Sequence, residues 1–446
     1  MGDQTIQVKR QLSMSHVLAI IIGTVIGSGV FINLPVVQQS TGGPLLAALA
    51  WLVGGLIWLP QIFLLTEVGT AYPGQGYGYL YLRKAGSPFL AFLYVWSSFW
   101  TSDTPSITIL AVSAIAALEV FQPVLADSIW TRVLASLLII LMSAVHYRSV
   151  QQGGRLQNVL TVVKISPLIL LSFLGFLFID SPHLTTSPTH QTSGPWLMVL
   201  LAGVSGTVWS YAGFPNILIM AGEIKNARKI LPKALIGSTI FVTAVYTLVA
   251  FATGAIMPHE ELISYVGTFA NPFKYLPVFA PIAAAFLAIA AFFSMIGCAN
   301  ACIMVQPRLE YAIARDGLFF KLFGTLHPRY GTPANSILLQ GGLAIILVYV
   351  GGIEDLLGYF TLSYILQNLL VYVSIFWLKR REDYQPTYRA PAWRLMITLT
   401  IAIQIALVFG TFHAFPLASV LASLGLIGSG LPVYLFFKHT RRQDAS

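Results

Sequence analysis

Two stretches of this chain place helix breakers in the middle of apolar segments: Gly23-Thr24-Val25-Ile26-Gly27-Ser28-Gly29-Val30, and Trp209-Ser210-Tyr211-Ala212-Gly213-Phe214-Pro215. Glycine weakens a helix by about 1 kcal/mol relative to alanine and an interior proline by about 3. In hydrocarbon the N–H and C=O groups freed by a break must be satisfied by protein, water or ligand. A half-helix N-terminus offers N–H groups and a positive dipole, and a half-helix C-terminus offers carbonyls. A zwitterion fits both ends. Taken alone, the first stretch also reads as small residues that let helices pack closely. Its pairing with the second points instead to a membrane transporter built from inverted repeats.

Three ionisable residues lie inside apolar segments, Glu67, Asp103 and Lys164, and each needs a partner or water there. Lys164 lies about two turns into its segment, so snorkelling to the surface is the alternative to an internal role. Glu67 reads as structural, or as support for a gate on that side. Asp103 sits in Ser102-Asp103-Thr104-Pro105-Ser106, beside a proline that frees a carbonyl. It is open as a proton site, as a charge that selects substrate, or as a carboxyl capped by local hydroxyls, the last being favoured. Cys298 and Cys302 are about one turn apart on one segment and make poor disulfide partners. The eight histidines fall in or near connections, and no metal-spaced cluster or nucleophile–base set is present. Neither an enzyme, a cofactor nor a metal is expected.

The elements that position these residues must be membrane helices. Of 446 residues 56% are apolar and 9% charged, against roughly 25% charged in a soluble domain. Apolar stretches fall near 16–40, 44–66, 88–121, 130–147, 157–179 and 196–221, then 234–256, 276–305, 334–352, 356–378, 393–411 and 415–437. Twelve spans are therefore expected, several of them longer than the bilayer is thick. The net charge of +9 reports topology rather than nucleic-acid binding, because lysine and arginine sit in alternate connections. Lys9 and Arg10, Arg83 and Lys84, Arg148 and Arg155, and Lys225 to Lys233 mark the expected cytoplasmic side, joined by Arg308 to Arg329, Lys379 to Arg394 and Lys438 to Arg442. Both termini then lie inside, no signal peptide is expected to be cleaved, and residues 1–446 form one membrane domain.

At these residues the sequence resembles the amino acid, polyamine and organocation (APC) transporter superfamily, in its L-amino acid transporter branch, including bacterial serine/threonine-type exchangers. The resemblance is carried by Gly23 to Phe31, by Ala221-Gly-Glu-Ile-Lys-Asn226 with Leu231-Pro-Lys-Ala234, and by Arg308 to Gly317 and His327 to Pro333. It implies an all-α LeuT-type fold with twelve transmembrane helices, in which helices 1 and 6 unwind mid-membrane. The two inverted five-helix repeats would cover about 16–179 and about 196–378, with added helices at about 393–437. It also implies that the substrate carboxylate meets N–H groups at Gly27, Ser28 and Gly29, and its amine the carbonyls near Val25, Trp209 and Ala212. Trp209 takes the place of an aromatic gate and Ser210 that of a side-chain pocket residue. Lys164 matches a fifth-helix lysine whose ammonium fills the region where sodium-driven relatives hold Na⁺. Departures are Phe214-Pro215-Asn216 where Trp-Asn is usual, Pro307 before Arg308, and the loose Pro73 to Gly78 segment.

The expected function is sodium-independent exchange of neutral L-amino acids across the plasma membrane, a bacterial inner membrane, by alternating access. Proton-coupled symport is the alternative, and Asp103 keeps it open. A channel would need a polar pore ring and a receptor an added signalling domain, and neither is visible. The expected partners are the amino acid and the lipid bilayer. The resemblance includes animal transporters linked by a disulfide to a single-span glycoprotein through a cysteine between helices 3 and 4. Residues 119–130 contain no cysteine here, so no such heavy chain is expected.

Overall fold

The structure, a computed structural model, describes residues 9–27, 29–126, 128–184, 195–266, 268–350, 353–414 and 417–443. Apolar runs punctuated by glycine and proline give helix after helix: α1 (Met14–Val25), α2 (Gly29–Thr41), α3 (Pro44–Leu56), α4 (Trp58–Ala71), α5 (Gly78–Lys84), α6 (Pro88–Ser97), α7 (Thr104–Ala116), α8 (Ile129–Arg148), α9 (Val150–Gly175) and α10 (Trp196–Thr207). The second half continues with α11 (Ala227–Ile256), α12 (His259–Ile263), α13 (Ala283–Val305), α14 (Pro307–Arg315), α15 (Ala334–Val350), α16 (Ile353–Leu378), α17 (Trp393–Ala414), α18 (Leu417–Gly428) and α19 (Gly430–Gln443). The extended contact among the described residues is one parallel bridge between Leu12 and Ile224.

Among the described residues, seven helical stretches are long and apolar enough to cross a bilayer, and α1 with α2 makes an eighth as a pair bent by 46°. Four shorter apolar helices lie at Trp196–Thr207, Ala334–Val350, Leu362–Leu378 and Trp393–Phe409. The outer surface is apolar in keeping with this, with Phe173, Leu177, Val162 and Phe409 each more than two-thirds exposed. A surface of that kind belongs in lipid. The chain is a multi-pass, all-helical membrane protein.

Several expectations differ in detail; the seventh stretch, for example, starts at Ala227 rather than near 234. The fifth stretch starts at Val150 rather than near 157, because Ser149 caps the helix by accepting from Gln152 N–H (3.2 Å). The third stretch carries a π-helical turn, Ser98–Asp103, between α6 and α7. The sixth stops being α-helical at Thr207 and continues as tight 3₁₀ turns, Val208–Tyr211 and Phe214–Glu223. Residues 307–315, expected in a basic connection, form the amphipathic helix α14 with Arg308 and Glu310 turned inward.

Inside, α11 packs on α3 and α9, α13 on α7 and α9, and α10 on α2 and α3. Small residues allow the close approach: a methyl added at Gly55 of α3 would meet Thr243 of α11 at 2.2 Å. Such contacts replace the hydrophobic drive that lipid removes.

Candidate functional site

The first break lies where α1 ends and α2 begins. Its freed carbonyls are taken up by side chains from three other helices. Lys164 Nζ on α9 donates to Gly23 O (2.8 Å) and Ile26 O (2.5 Å). Tyr246 on α11 donates to Val25 O (3.3 Å), Ser294 on α13 to Gly27 O (3.1 Å), and Cys298 Sγ on α13 to Thr24 O (3.6 Å). Lys164 is 0% exposed, so it does not snorkel. A fixed ammonium holds the carbonyl end of the half-helix, where its positive charge meets the negative end of the helix dipole.

The second break lies against the first. Gly213 has φ 116, in the left-handed region, and a methyl there would stand 2.6 Å from Thr24 O. Only glycine suits both the conformation and the approach. Thr24 Oγ1 donates to Gly213 O (3.0 Å), and Asn33 Nδ2 donates to Ser210 Oγ (3.0 Å). A methyl at Gly29 would meet Ser210 Cα at 2.9 Å. Tyr211 donates to Trp51 O (2.8 Å), and its ring packs with those of Trp51 and Tyr246. Of the predicted residues, Val25, Gly27, Gly29, Ser210, Ala212 and Lys164 therefore lie on or against the two breaks. Ser28 lies outside the described residues, and so does the side chain of Trp209.

Asp103 and Glu67 stand elsewhere. Asp103 ends the π turn. Its expected capping by local hydroxyls is only partial: Ser102 reaches the carboxyl, but Ser102 Oγ donates to Ser98 O (3.0 Å) and Ser106 Oγ to Asp103's own main-chain O (2.8 Å). Asp103 Oδ2 has no partner. The π turn widens the helix by one residue, and its free carbonyls compete for the hydroxyls. Glu67 accepts from Tyr384 (2.9 Å), from Ala390 N–H (2.9 Å) and from Lys379. It fastens the segment between α16 and α17 to the end of α4.

That segment is held a second time at Asp383, which accepts from Tyr72 (2.8 Å), Arg381 (2.8 Å) and Lys84 (3.0 Å). The Arg381 hydrogen bond, followed by those of Lys84 and Tyr72, holds the Asp383 carboxyl well below the usual carboxylate range. Burial, and then Asp383, push the Tyr72 hydroxyl up to about 12. Nearby, Gln11 and Leu12 N–H groups donate to Glu223 O (2.8 and 3.0 Å). The Glu223 carboxylate accepts from Arg308 Nε (2.8 Å) and Gln75 Nε2 (3.1 Å). The chain start, the turn before α5, the end of the second break and α14 are thus tied together on the side carrying the basic connections.

Sequence reasoning missed Tyr246, Ser294 and Asn33, the groups that satisfy or brace the breaks. Each is a neutral polar residue in a mainly apolar run, and attention to ionisable groups alone passed them over.

A helical membrane protein in which two interrupted segments meet, one with a buried lysine on its carbonyl end, has the form of a secondary transporter. The sequence profile described as Amino acid permease matches residues 12–434, and the chain belongs to that family. It is similar to the serine/threonine exchanger SteT of Bacillus subtilis (strain 168), 27% identical over 440 residues that cover 96% of this chain and 97% of the relative. It is also similar to human b(0,+)-type amino acid transporter 1, at 27% identity covering 98% of this chain and 89% of the relative. Human Asc-type amino acid transporter 1 matches at 27% over 97% of this chain and 83% of the relative.

Proposed function

We infer that this protein exchanges neutral L-amino acids across the plasma membrane by alternating access, without sodium. The observation that carries this reading is Lys164 Nζ, 2.8 Å from Gly23 O and 2.5 Å from Ile26 O, in place of a mobile cation at the broken helix. The names of the relatives, an exchanger and two amino acid transporters, support the substrate class. Twelve spans, ten of them in two inverted five-helix repeats and two added after them, with both termini cytoplasmic, are the arrangement under which the two breaks become equivalent. The carboxylate then meets the N–H groups of Gly27, Ser28 and Gly29. Its amine meets the carbonyl at Ala212, at Trp209, and at Val25, where Tyr246 already occupies one lone pair. Ser210 faces the substrate side chain, and Trp209 closes over it.

In this conformation the ties at Glu223 and Glu67 close the basic side, so transport requires both to open. The protein works without a disulfide-linked heavy chain, and identical migration on reducing and non-reducing gels checks that point. The test of exchange is counterflow in liposomes containing only this protein. Preloading with serine or threonine should accelerate uptake of labelled amino acid, and uptake indifferent to the preload would reject exchange. Proton-coupled symport is a second reading, favoured by the unpartnered Asp103 Oδ2.

A further inference from the structure

Between α7, α13, α14 and α15 lies a buried polar cluster that the two breaks do not use. Asp103, Gln306, Glu310 and Gln340 are all buried there. Gln340 Nε2 donates to Glu310 Oε1 (2.8 Å), and Gln306 Nε2 donates to Ser106 Oγ (3.0 Å). Four oxygens remain without a donor: Glu310 Oε2, Gln340 Oε1, Gln306 Oε1 and Asp103 Oδ2. An ionised carboxylate and an amide oxygen are both acceptors only, so the cluster as a set lacks donors. Unmade hydrogen bonds of this kind are rare in buried protein.

One proton removes two of the four at once. Placed on Glu310 Oε2, it donates to Gln340 Oε1 while Gln340 Nε2 donates to Glu310 Oε1, closing an acid–amide ring. Turning the Gln340 amide over does not help an ionised Glu310, because the ring is symmetric in the two orientations. Water is a poor substitute. The void beside Glu310 is about 10 Å³, at the lower limit for one water, and it is walled by Phe92, Val95, Trp96, Phe99, Ile313 and Phe319.

The cations around α14 are engaged elsewhere. Arg308 on the same helix holds Glu223, Arg83 of α5 holds Asp316, and Arg315 lies over the Tyr311 ring. Tyr79 of α5 donates to Asp316, Tyr94 of α6 and Cys302 of α13 lie toward Asp103, and Lys321 after α14 is exposed. Glu223 faces α14 from the end of the second break, and α15 contributes the neutral Gln340. Among the described residues no cation stands within ion-pair distance of Glu310.

We propose that Glu310 and Gln340 form a proton-binding site, and that exchange responds to pH through it. The pH response rests on the transport reading above; the bound proton does not. Binding forms one O–H bond on Glu310 Oε2, and the proton comes from water on the side of the basic connections. Loss of the proton leaves an ionised carboxylate buried without an ion-pair partner and loosens the packing of α14 on α15.

The test uses the purified full-length protein. At neutral pH its infrared spectrum should contain a protonated-carboxyl C=O stretch that disappears in Glu310→Gln and shifts in Gln340→Ala. Glu310→Gln should fold normally, since its amide closes the same ring. The wild-type melting temperature should fall as pH rises, because the folded state holds a proton that the unfolded carboxyl has released, and in Glu310→Gln this slope should be lost. In liposomes the wild-type exchange rate should change with pH and the Glu310→Gln rate should stay flat. Identical infrared spectra for wild type and Glu310→Gln would overturn the proton site, as a bound metal ion on an ionised Glu310 would produce. A lost band with an unaltered pH profile of exchange would overturn the coupling. Absence of exchange in both proteins, with the band still lost, would reject the transport reading and leave the site standing.

Discussion

Replacing Gly29 by alanine tests the meeting of the two breaks with one methyl group. That methyl would stand 2.9 Å from Ser210 Cα, 2.9 Å from Ser210 Oγ and 3.2 Å from Ser210 Cβ. The hydroxyl can turn away, but the Cα belongs to the backbone of the Val208–Tyr211 turn. Carbon atoms rest at about 3.5 Å or more, so α2 and that turn must separate by roughly 0.6 Å. Overpacking of this size costs about 1–3 kcal/mol. If the substrate needs both breaks at their present spacing, the strain falls on the bound state. Affinity then drops by roughly 5- to 150-fold, at 1.36 kcal/mol per tenfold. Equilibrium binding of labelled amino acid to purified protein measures this, with thermal melting to check folding. Gly237→Ala on α11 is the control, since a methyl there meets nothing within 4 Å. The larger, β-branched Gly29→Val should abolish binding in a protein that still inserts. Unchanged affinity in Gly29→Ala with normal melting would remove the site from the first break.

Other changes probe the supports. Lys164→Met leaves the Gly23 and Ile26 carbonyls without their donor, at about 1–3 kcal/mol each, and uptake per inserted molecule should fall by more than the yield does. Equal losses of both would make the lysine purely structural. Arg308→Met strands the buried Glu223 carboxylate and should lower stability by about 3–5 kcal/mol, read by melting. Adding Glu223→Gln should recover part of that loss, and no recovery would show that the ion pair is not what was broken. Because the folded Asp383 carboxyl is held below its ordinary value, its contribution is complete above the unfolded value of about 3.9 and fades only as pH falls through the folded one. Hydrogen exchange in the segment between α16 and α17 should therefore stay slow from neutral into mild acid, and early loss of protection would contradict the clamp.

The breaks were legible because glycine and proline cannot hide in an apolar run. Gly213 and Gly29 fall where a side chain would strike the other break, so the residues that weaken the helices are also those that let them touch. Lys164 was legible for a similar reason, since one ammonium in a long apolar segment must end on something. What it ends on, the Gly23 and Ile26 carbonyls, depends on how α9 packs on α1, and spacing along the chain does not carry that. Glu310 was misplaced because two arginines within eight residues, Arg308 and Arg315, make 308–315 read as a basic connection. Only the folded α14 turns the glutamate inward against Gln340. Asp103 was seen, but the π turn that diverts its neighbouring hydroxyls to main-chain carbonyls packs against α16, a contact that spacing along the chain does not carry.

The most direct measurement is initial-rate uptake of a labelled neutral amino acid into liposomes holding this protein alone, with sodium fully replaced by choline. With Lys164 fixed on the carbonyls of the broken helix, the rate should be the same in both media. A rate that rises steeply with sodium would mean that a mobile cation does the work assigned here to the lysine, and the reading of the site would be wrong.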